Sequence, residues 1–501
     1  MATNNNLSFD ITVVGAGFAG SLTALGLHQI GYDVALIEKS SHPRFAIGES
    51  STPIADLILR SISDRYNLPW LREISRYGSW QQTHPQISCG LKRGFSYYKH
   101  QAMQSFETDI HHKNELLVAA SSNNEQSDTN WYRSDMDAFF VNQVVQKGIP
   151  YWDNTQITNL QRHGSIWRLT AQEPGHKFTV RTKWLIDATG SSSILSQLDV
   201  QTIPDHFKTN TRAIFSHFSK VHFWQDWLHK NNIATGDYPY NPDDSALHHL
   251  LEEGWLWMLR FNNGITSAGL VLNQNAERHA KNWDRIIGRY PSLAACFSGA
   301  EPAHSPGKLI RTKRLQRRAA KAIGEGWVAL PHTVGFVDPL HSTGIAHTLS
   351  GVERILHTFE SAGDKPNLIT NQLRNYEQAV FNELDFVDLL IDGCYRAMDH
   401  FELFHTYASL YFIAAIHYEQ RRIHGDFGIE EDFLSADHSK IRSIVENSYN
   451  NLMILLEQQT INTSEIRSFR KATEMAIEPF NIAELLHPEI PNMYYHTSAE
   501  F

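Results

Sequence analysis

Residues 9–15 (FDITVVG) are apolar and β-branched, and the hexapeptide Gly15-Ala16-Gly17-Phe18-Ala19-Gly20 opens an Ala/Leu-rich stretch of helical pattern. A second apolar run, 33–37 (DVALI), ends at Glu38. Strand, Gly-rich turn, helix and strand in that order specify a parallel βαβ unit with a dinucleotide fingerprint. Gly15 permits the tight turn, Gly17 lets backbone approach a pyrophosphate at the helix N-terminus, and Gly20 permits close helix–strand packing. Gly15, Gly17, Ala19 and Gly20 are therefore read as cofactor-binding, with Glu38, about 18 residues beyond the last glycine, placed to accept ribose hydroxyls.

Composition narrows what such a unit serves. With 501 residues, 42% of them hydrophobic, the chain can bury one large domain and an appended one. The net charge of -10 carries no basic stripe, which argues against nucleic acid as a partner. The one basic cluster, RTKRLQRRAAK at 311–321, reads as a solvated helix face, with docking of an acidic partner as the alternative. Three dispersed cysteines, Cys89, Cys296 and Cys394, argue against a disulfide framework, and no His/Cys cluster suggests a metal. A polar N-terminus and no apolar run of about 18 residues leave secretion and membrane spanning unsupported, so the expectation is a soluble cytoplasmic protein. Residues 121–130 (SSNNEQSDTN) read as a surface loop.

Two further segments favour FAD over NAD. Residues 184–190 (WLIDATG) resemble the second dinucleotide-contacting turn of a glutathione-reductase-type FAD domain, through Asp187 and Gly190; residues 327–338 (WVALPHTVGFVD) resemble the strand and turn that hold the ribityl chain, ending at Asp338. The expected fold is α/β: a Rossmann-like FAD domain over 1–350, with FAD segments 9–60, 130–195 and 320–350. A substrate-side sheet is interleaved at about 80–110 and 205–310, where 94–98 (GFSYY) and 255–272 alternate aromatic and other residues. Residues 351–501 read as a mostly helical region able to form an active-site lid.

The stretch Gly335-Phe336-Val337-Asp338-Pro339-Leu340-His341-Ser342-Thr343-Gly344-Ile345 carries the spacing F-x-x-P-x-x-S-x-G. With it stand His42-Pro43-Arg44-Phe45, Ile47-Gly48-Glu49-Ser50, Ser88-Cys89-Gly90-Leu91-Lys92-Arg93, Trp131-Tyr132-Arg133 with Asp135 and Asp137, and Pro331-His332. Through these motifs the chain resembles the flavin-dependent halogenases of the tryptophan-halogenase superfamily, most of all the branch that acts on pyrroles and phenols. The resemblance covers about the first 400 residues.

It implies an enzyme that uses FADH2, O2 and chloride or bromide to halogenate an electron-rich aromatic ring, free or carrier-tethered, in natural-product biosynthesis. The route is a flavin C4a-hydroperoxide, then hypohalous acid, then an active-site lysine, matched here by Lys92. Whether that amine hydrogen-bonds hypohalous acid or forms a haloamine stays open. Backbone N–H groups of Thr343 and Gly344 would hold the halide, although an ordinary turn into a helix has the same outline. Glu49 is a second catalytic candidate, with a structural hydrogen bond equally possible. Arg44, Ile47, Arg133 and Ile345 fall at cofactor-side motif positions, whereas Ser50, Phe336, Pro339 and Ser342 fall along the channel.

Trp255 and Trp257 share one side of a strand, as core or as a wall between flavin and substrate. The family's W-x-W-x-I-P ends here in Arg260, and His341 replaces a glutamate used on free tryptophan. Arg260 is the feature most favourable to the alternative of a flavin-dependent monooxygenase of the same fold. A single G-x-G-x-x-G also implies a separate flavin reductase as partner.

Overall fold

The computed structural model describes residues 6–274, 282–425, 429, 431–458 and 460–495. Its first sheet is built on the strand Asn6–Val14, which runs parallel to Val34–Ile37 on one side and to His176–Asp187 on the other. Trp327–Ala329 extends the sheet in parallel beyond His176–Asp187, and Tyr151–Trp152 does so beyond Val34–Ile37. In register, Val14 stands opposite both Ile37 and Asp187, and Asp187 opposite Ala329. The carboxyl ends of these strands thus form one row. In open α/β sheets that edge is where ligands bind, because helix N-termini and turns face it.

The helix Phe18–Ile30 covers this sheet, flanked by Arg133–Gln146 and Thr343–Ala362. Gly26 makes the second contact possible: a Cβ there would overlap the Leu356 side chain.

The second sheet is largely antiparallel. Its order is Glu301–Pro302, Thr211–Ser219, Thr266–Asn273, Gly254–Arg260, Ala246–Leu251, Gly94–Lys99, Glu115–Ala119 and Met493–Tyr494. Strand alternation divides the side chains of Gly254–Arg260 between two cores: Trp255, Trp257 and Leu259 face the core shared with the first sheet, and Leu256 and Met258 face the other. The C-terminal region contributes the helices Pro366–Ala397, Phe401–His424, Ser439–Leu456 and Thr463–Ile477 before returning to the second sheet at Met493–Tyr494. No helix among the described residues is long and apolar enough to cross a membrane.

Two expectations are corrected. The basic run 311–321 is not a helix face: it lies in the strands Ile310–Arg314 and Arg317–Arg318. Pairing with Thr211–Ser219 and with Gly335–Phe336 supplies its backbone hydrogen bonds, and its arginines find local partners such as Asp205 for Arg314 and the Phe381 ring for Arg318. The polar stretch 121–130 is a loop only at its start. Asp128–Trp131 is a fully buried strand, antiparallel to Cys89–Lys92. Asp128, Thr129 and Asn130 are buried there although polar, with Asp128 opposite Lys92 in the pair, which composition does not reveal.

Candidate active site

The dinucleotide turn has the geometry its glycines require. Gly15 adopts φ +103°, and a Cβ there would press on the Ala188 carbonyl; a Cβ on Gly20 would overlap the Gly15 carbonyl oxygen. Glu38, at the end of the neighbouring strand, accepts from the Ala16 N–H at 2.8 Å and the Ser40 N–H at 3.0 Å. Ala19 and Gly20 are buried, whereas Gly17, Gly190, Ile47, Gly48 and Gly344 keep exposure along the rim. Asp187 is buried and fully engaged, accepting from Thr189, Ser193 and Ile194. It therefore shapes the second turn rather than offering a free oxygen. Asp338 is likewise held by Thr211 at 2.8 Å, Tyr395 at 3.0 Å and the Leu340 N–H at 3.1 Å, with burial pushing its carboxyl up to about 7.

Arg133 pairs side-on with Asp137 through two bonds of 2.9 Å and donates to the Ile47 and Gly48 carbonyls, fixing the segment that leads to Glu49. Arg44 is freer. Its guanidinium lies 3.7 Å from Glu38 and 4.0 Å from Asp137, its Nε has no partner among the described residues, and a Cβ on Gly17 would be 3.8 Å from it. A cation and an exposed helix N-terminus at a Gly-rich turn fit a pyrophosphate.

The segment from Arg44 to Thr52 carries this end of the site to the next, a reach of at most roughly 30 Å fully extended. Along it run buried polar atoms that no described residue satisfies, Glu49 Oε2, Ser50 Oγ and Thr52 Oγ1, and the Asn130 amide and His217 Nδ1 are also unsatisfied. Native interiors leave few such groups without a ligand or water. Glu49 itself is buried, 2.7 Å from His217 Nε2, a partner that sequence reading missed because residues 49 and 217 meet only in the fold.

Lys92 is completely buried. Its ammonium donates to the Ser51 carbonyl at 2.5 Å and lies 4.0 Å from the centre of the Phe95 ring. Opposite it across the strand pair is Asp128. Burial pushes the Lys92 amine down to about 8 against the pull of Asp128 and Glu419, and pushes the Asp128 carboxyl up to about 7. Beside Phe95 lies a small pocket of about 20 Å³, lined by Thr52, Tyr411, Phe412 and Glu419 among others.

The turn before Thr343–Ala362 backs this cavity. His341 stacks on Tyr411 with ring centres 4.3 Å apart and lies 3.3 Å from the Tyr97 hydroxyl and 3.5 Å from Cys394 Sγ. Burial pushes its imidazole down to about 3, so it is neutral and supports the cavity wall. Ser342 takes φ +55° and donates its N–H to Pro339. The Thr343 and Gly344 N–H groups, first in a 20-residue helix, have no acceptor among the described residues, and a Cβ on Gly344 would meet nothing within 4 Å. Ile345 is buried behind them, while Phe336 is half-buried against His332.

A family model for FAD dependent oxidoreductases matches residues 10–306, more than half of the chain. The chain belongs to the FAD-dependent oxidoreductases. Its relatives place it among their flavin-dependent halogenases. It is 28% identical over 420 residues to the monodechloroaminopyrrolnitrin halogenase PrnC of Pseudomonas fluorescens, covering 81% of this chain and 71% of that protein. It is 25% identical over 465 residues to the tetracycline 7-halogenase of Kitasatospora aureofaciens, covering 90% and 80%. The fold matches a crystal structure of the halogenase PltM in complex with phloroglucinol and FAD, with a TM-score of 0.84, 22% identity and coverage of 98% of this chain and 100% of that one. FAD is therefore the dinucleotide of this FAD-dependent oxidoreductase.

In this flavoprotein Trp255 donates to the Tyr395 hydroxyl at 2.7 Å, joining the chain to Asp338, and Trp257 donates to Ser267 at 3.1 Å. The two indoles are neighbours, 6.1 Å apart, and Gly269 clears the space that Trp257 fills. Arg260 points to the opposite side: it pairs with Asp243 at 3.0 Å and donates to Val221, His222 and Thr266. Arg260 is thus held in a clamp on the side of the strand away from Trp255 and Trp257. Asp128, His217, Tyr411 and Glu419 were not found from sequence. The only signal for Glu419 is an acid at the end of the apolar run 407–418, which ordinarily reads as a helix turning to solvent.

Proposed function

We propose that this enzyme halogenates an electron-rich aromatic ring of pyrrole or phenol type, using reduced FAD, O2 and chloride or bromide, with Lys92 controlling delivery of the halogen. The observation that carries this reading is a fully buried lysine that lies over the Phe95 ring and is tied through the Ser51 carbonyl to the single segment 44–52 leading to the FAD turns. Reduced FAD with O2 supplies the oxidising equivalent that converts halide to hypohalous acid. The Thr343 and Gly344 N–H groups hold the halide at a helix N-terminus, where the helix dipole favours an anion. Trp255 and Trp257 keep the ring away from the flavin, and Phe336, Pro339, Ser342 and Ser50 border the route.

Lys92 holds hypohalous acid against the ring through hydrogen bonds or a haloamine. Ring carbon then gains the halogen, ring C–H is lost, and the hypohalous oxygen leaves as water. Glu49 and His217, paired beside that route, position the segment and exchange a proton with the passing acid. PrnC is named as a halogenase of monodechloroaminopyrrolnitrin and the Kitasatospora protein as one of tetracycline, and a relative from Pseudoalteromonas luteoviolacea is named a 1H-pyrrole-2-carbonyl-[peptidyl-carrier protein] brominase. These support an aromatic substrate, free or tethered. Reductant is supplied by a separate flavin reductase.

Lys92→Ala tests the reading. Flavin reoxidation in a single turnover continues, whereas halogenated product falls 100-fold or more, the roughly 3 kcal/mol expected for an essential positioned group. Product near the wild-type level by mass spectrometry would remove Lys92 from the mechanism.

A further inference from the structure

Asp128 opens the strand Asp128–Trp131, and its partner across the antiparallel pair is Lys92. Directly opposed residues of such a pair project from the same face, with Cβ atoms roughly 5 Å apart. Both are sealed from water: Lys92 is 0% exposed and Asp128 3%. The segment 44–52 closes the other edge of the pair, where the Ser51 N–H donates to the Thr129 carbonyl at 3.1 Å and Ser50 bridges to Asn130. The Lys92 ammonium reaches the Ser51 carbonyl on that far edge, so its stem crosses the strand that carries Asp128. Asp128 Oδ2, on the same face, has no hydrogen-bond partner among the described residues. A buried acid oxygen left unpaired is costly, and native interiors hold few of them.

The groups packed around the two are otherwise accounted for. His248 faces Lys92 from the strand Ala246–Leu251, and burial pushes its imidazole down to about 3, so it is neutral. Tyr411 and Glu419 face the pair from the helix Phe401–His424, and burial pushes the Tyr411 hydroxyl well above its usual range. Asp56, in the helix Pro53–Arg65, faces Asp128 but is already engaged, 3.2 Å from Arg60 and 3.0 Å from Arg76. Asp128 and Glu419 are thus the acids that draw Lys92 toward its charged form against burial, and of these Asp128 is the one fixed to it by strand pairing.

We infer that Asp128 is the positioning residue of Lys92: from the same face of the strand pair it fixes whether the buried amine is charged, and so governs the step that Lys92 carries out. The inference rests on the proposed role of Lys92 in halogen delivery. A proton leaving the ammonium for the carboxylate breaks one N–H bond and forms one O–H bond, and the pair stays at zero net charge throughout. Exchange of that proton with water would instead leave one buried charge uncompensated, which the interior opposes. Titration of the two groups is therefore coupled.

The test is a pH titration of the Lys92 side chain by nuclear magnetic resonance, on FAD-loaded protein carrying carbon-13 at lysine Cε, with Lys92→Met assigning the signal. In Asp128→Asn, which keeps the shape and removes the charge, the Lys92 midpoint should fall by about one pH unit or more, a 10-fold change in the ratio of ammonium to amine. Glu419→Gln should move it less. Product is then followed against pH by mass spectrometry with added flavin reductase, chloride and either phenol or pyrrole. Whichever form of the amine is reactive, the limb of the profile that follows Lys92 should move to lower pH in Asp128→Asn, a displacement that lost packing does not produce. FAD content and circular dichroism report folding, and Asp128→Ser carries the test if the Asn variant does not fold.

A Lys92 midpoint unmoved in a folded Asp128→Asn or Asp128→Ser variant overturns the inference, as does a lowered midpoint with the product profile in its wild-type place. The halogenase reading fails separately: if the wild type halogenates neither ring while the midpoint still falls in Asp128→Asn, Asp128 keeps its hold on Lys92 and the proposed chemistry is removed.

Discussion

Lys92 and Asp128 face each other in a strand pair from which water is excluded, and each is pushed toward its neutral form by burial. The signs give a pH signature. Asp128, raised to about 7, binds more protons folded than unfolded, so its contribution to stability falls as pH rises from roughly 4 to 7. Lys92, lowered to about 8, binds fewer protons folded, so stability recovers as pH rises from about 8 to roughly 10. The double variant Lys92→Met/Asp128→Asn should flatten both limbs of the urea midpoint against pH. It should also be as stable as the wild type at neutral pH or more so, by up to roughly 4 kcal/mol, since apolar or neutral isosteres spare the desolvation of buried ionisable groups. A double variant that unfolds more readily and keeps the pH dependence would show that the pair serves stability. Lys92 was legible from its S-C-G-x-K-R setting, but Asp128 was not, because a strand of Asp, Thr and Asn has the composition of a loop.

At the scale of elements, the helix Thr343–Ala362 supplies the proposed halide turn with its first N–H groups, and Gly344 has open space beside it. Its φ is not positive, so a side chain there is compatible with the backbone. Gly344→Ala should leave stability unchanged or raise it by up to roughly 1 kcal/mol, the helix-propensity difference. Gly344→Asp should fold and bind FAD, because an acid in the first turn suits the helix dipole, yet lose halide-dependent product, because its carboxylate occupies the anion position. Thermal denaturation and product yield against chloride concentration check both. Saturable chloride dependence unchanged in Gly344→Asp would move the halide elsewhere. The turn could be read as a spacing of Pro, Ser and Gly. That His341 serves as the backing of Tyr411 depends on a helix more than 60 residues further along.

In the whole molecule, the C-terminal region is tied to the second sheet by Met493–Tyr494, and the buried Tyr494 hydroxyl meets the Leu486 N–H at 2.9 Å and His405 at 3.2 Å. His405 shares the helix of Tyr411 and Glu419, so this anchor steadies the cavity wall. Tyr494→Ala should cost about 3 kcal/mol or more, the usual loss for a large aromatic in a core, and weaken binding of aromatic ligands before it affects FAD content. Chemical denaturation and flavin absorbance would show it; equal loss of both functions would make the anchor a global one. One dinucleotide fingerprint also predicts that the purified protein oxidises NADH slowly by itself and forms product only with added reductase. Rapid NADH oxidation by the pure chain, followed by absorbance, would contradict this.

The sequence alone determined what depends on local backbone geometry: the βαβ unit, the glycines that let chain and cofactor approach, the Pro and Gly that shape the turn into the helix Thr343–Ala362, and the alternation that puts Trp255 and Trp257 on one face. Those requirements act within a few residues, so they leave short signatures. Tertiary structure decided the polarity of the cavity. Glu49 finds His217, Lys92 finds Asp128, Arg260 turns outward to Asp243, and Glu419 comes to face the same interior from the C-terminal helices. The energy of a buried charge depends on everything packed around it rather than on its neighbours in the chain, so none of these placements leaves a local trace.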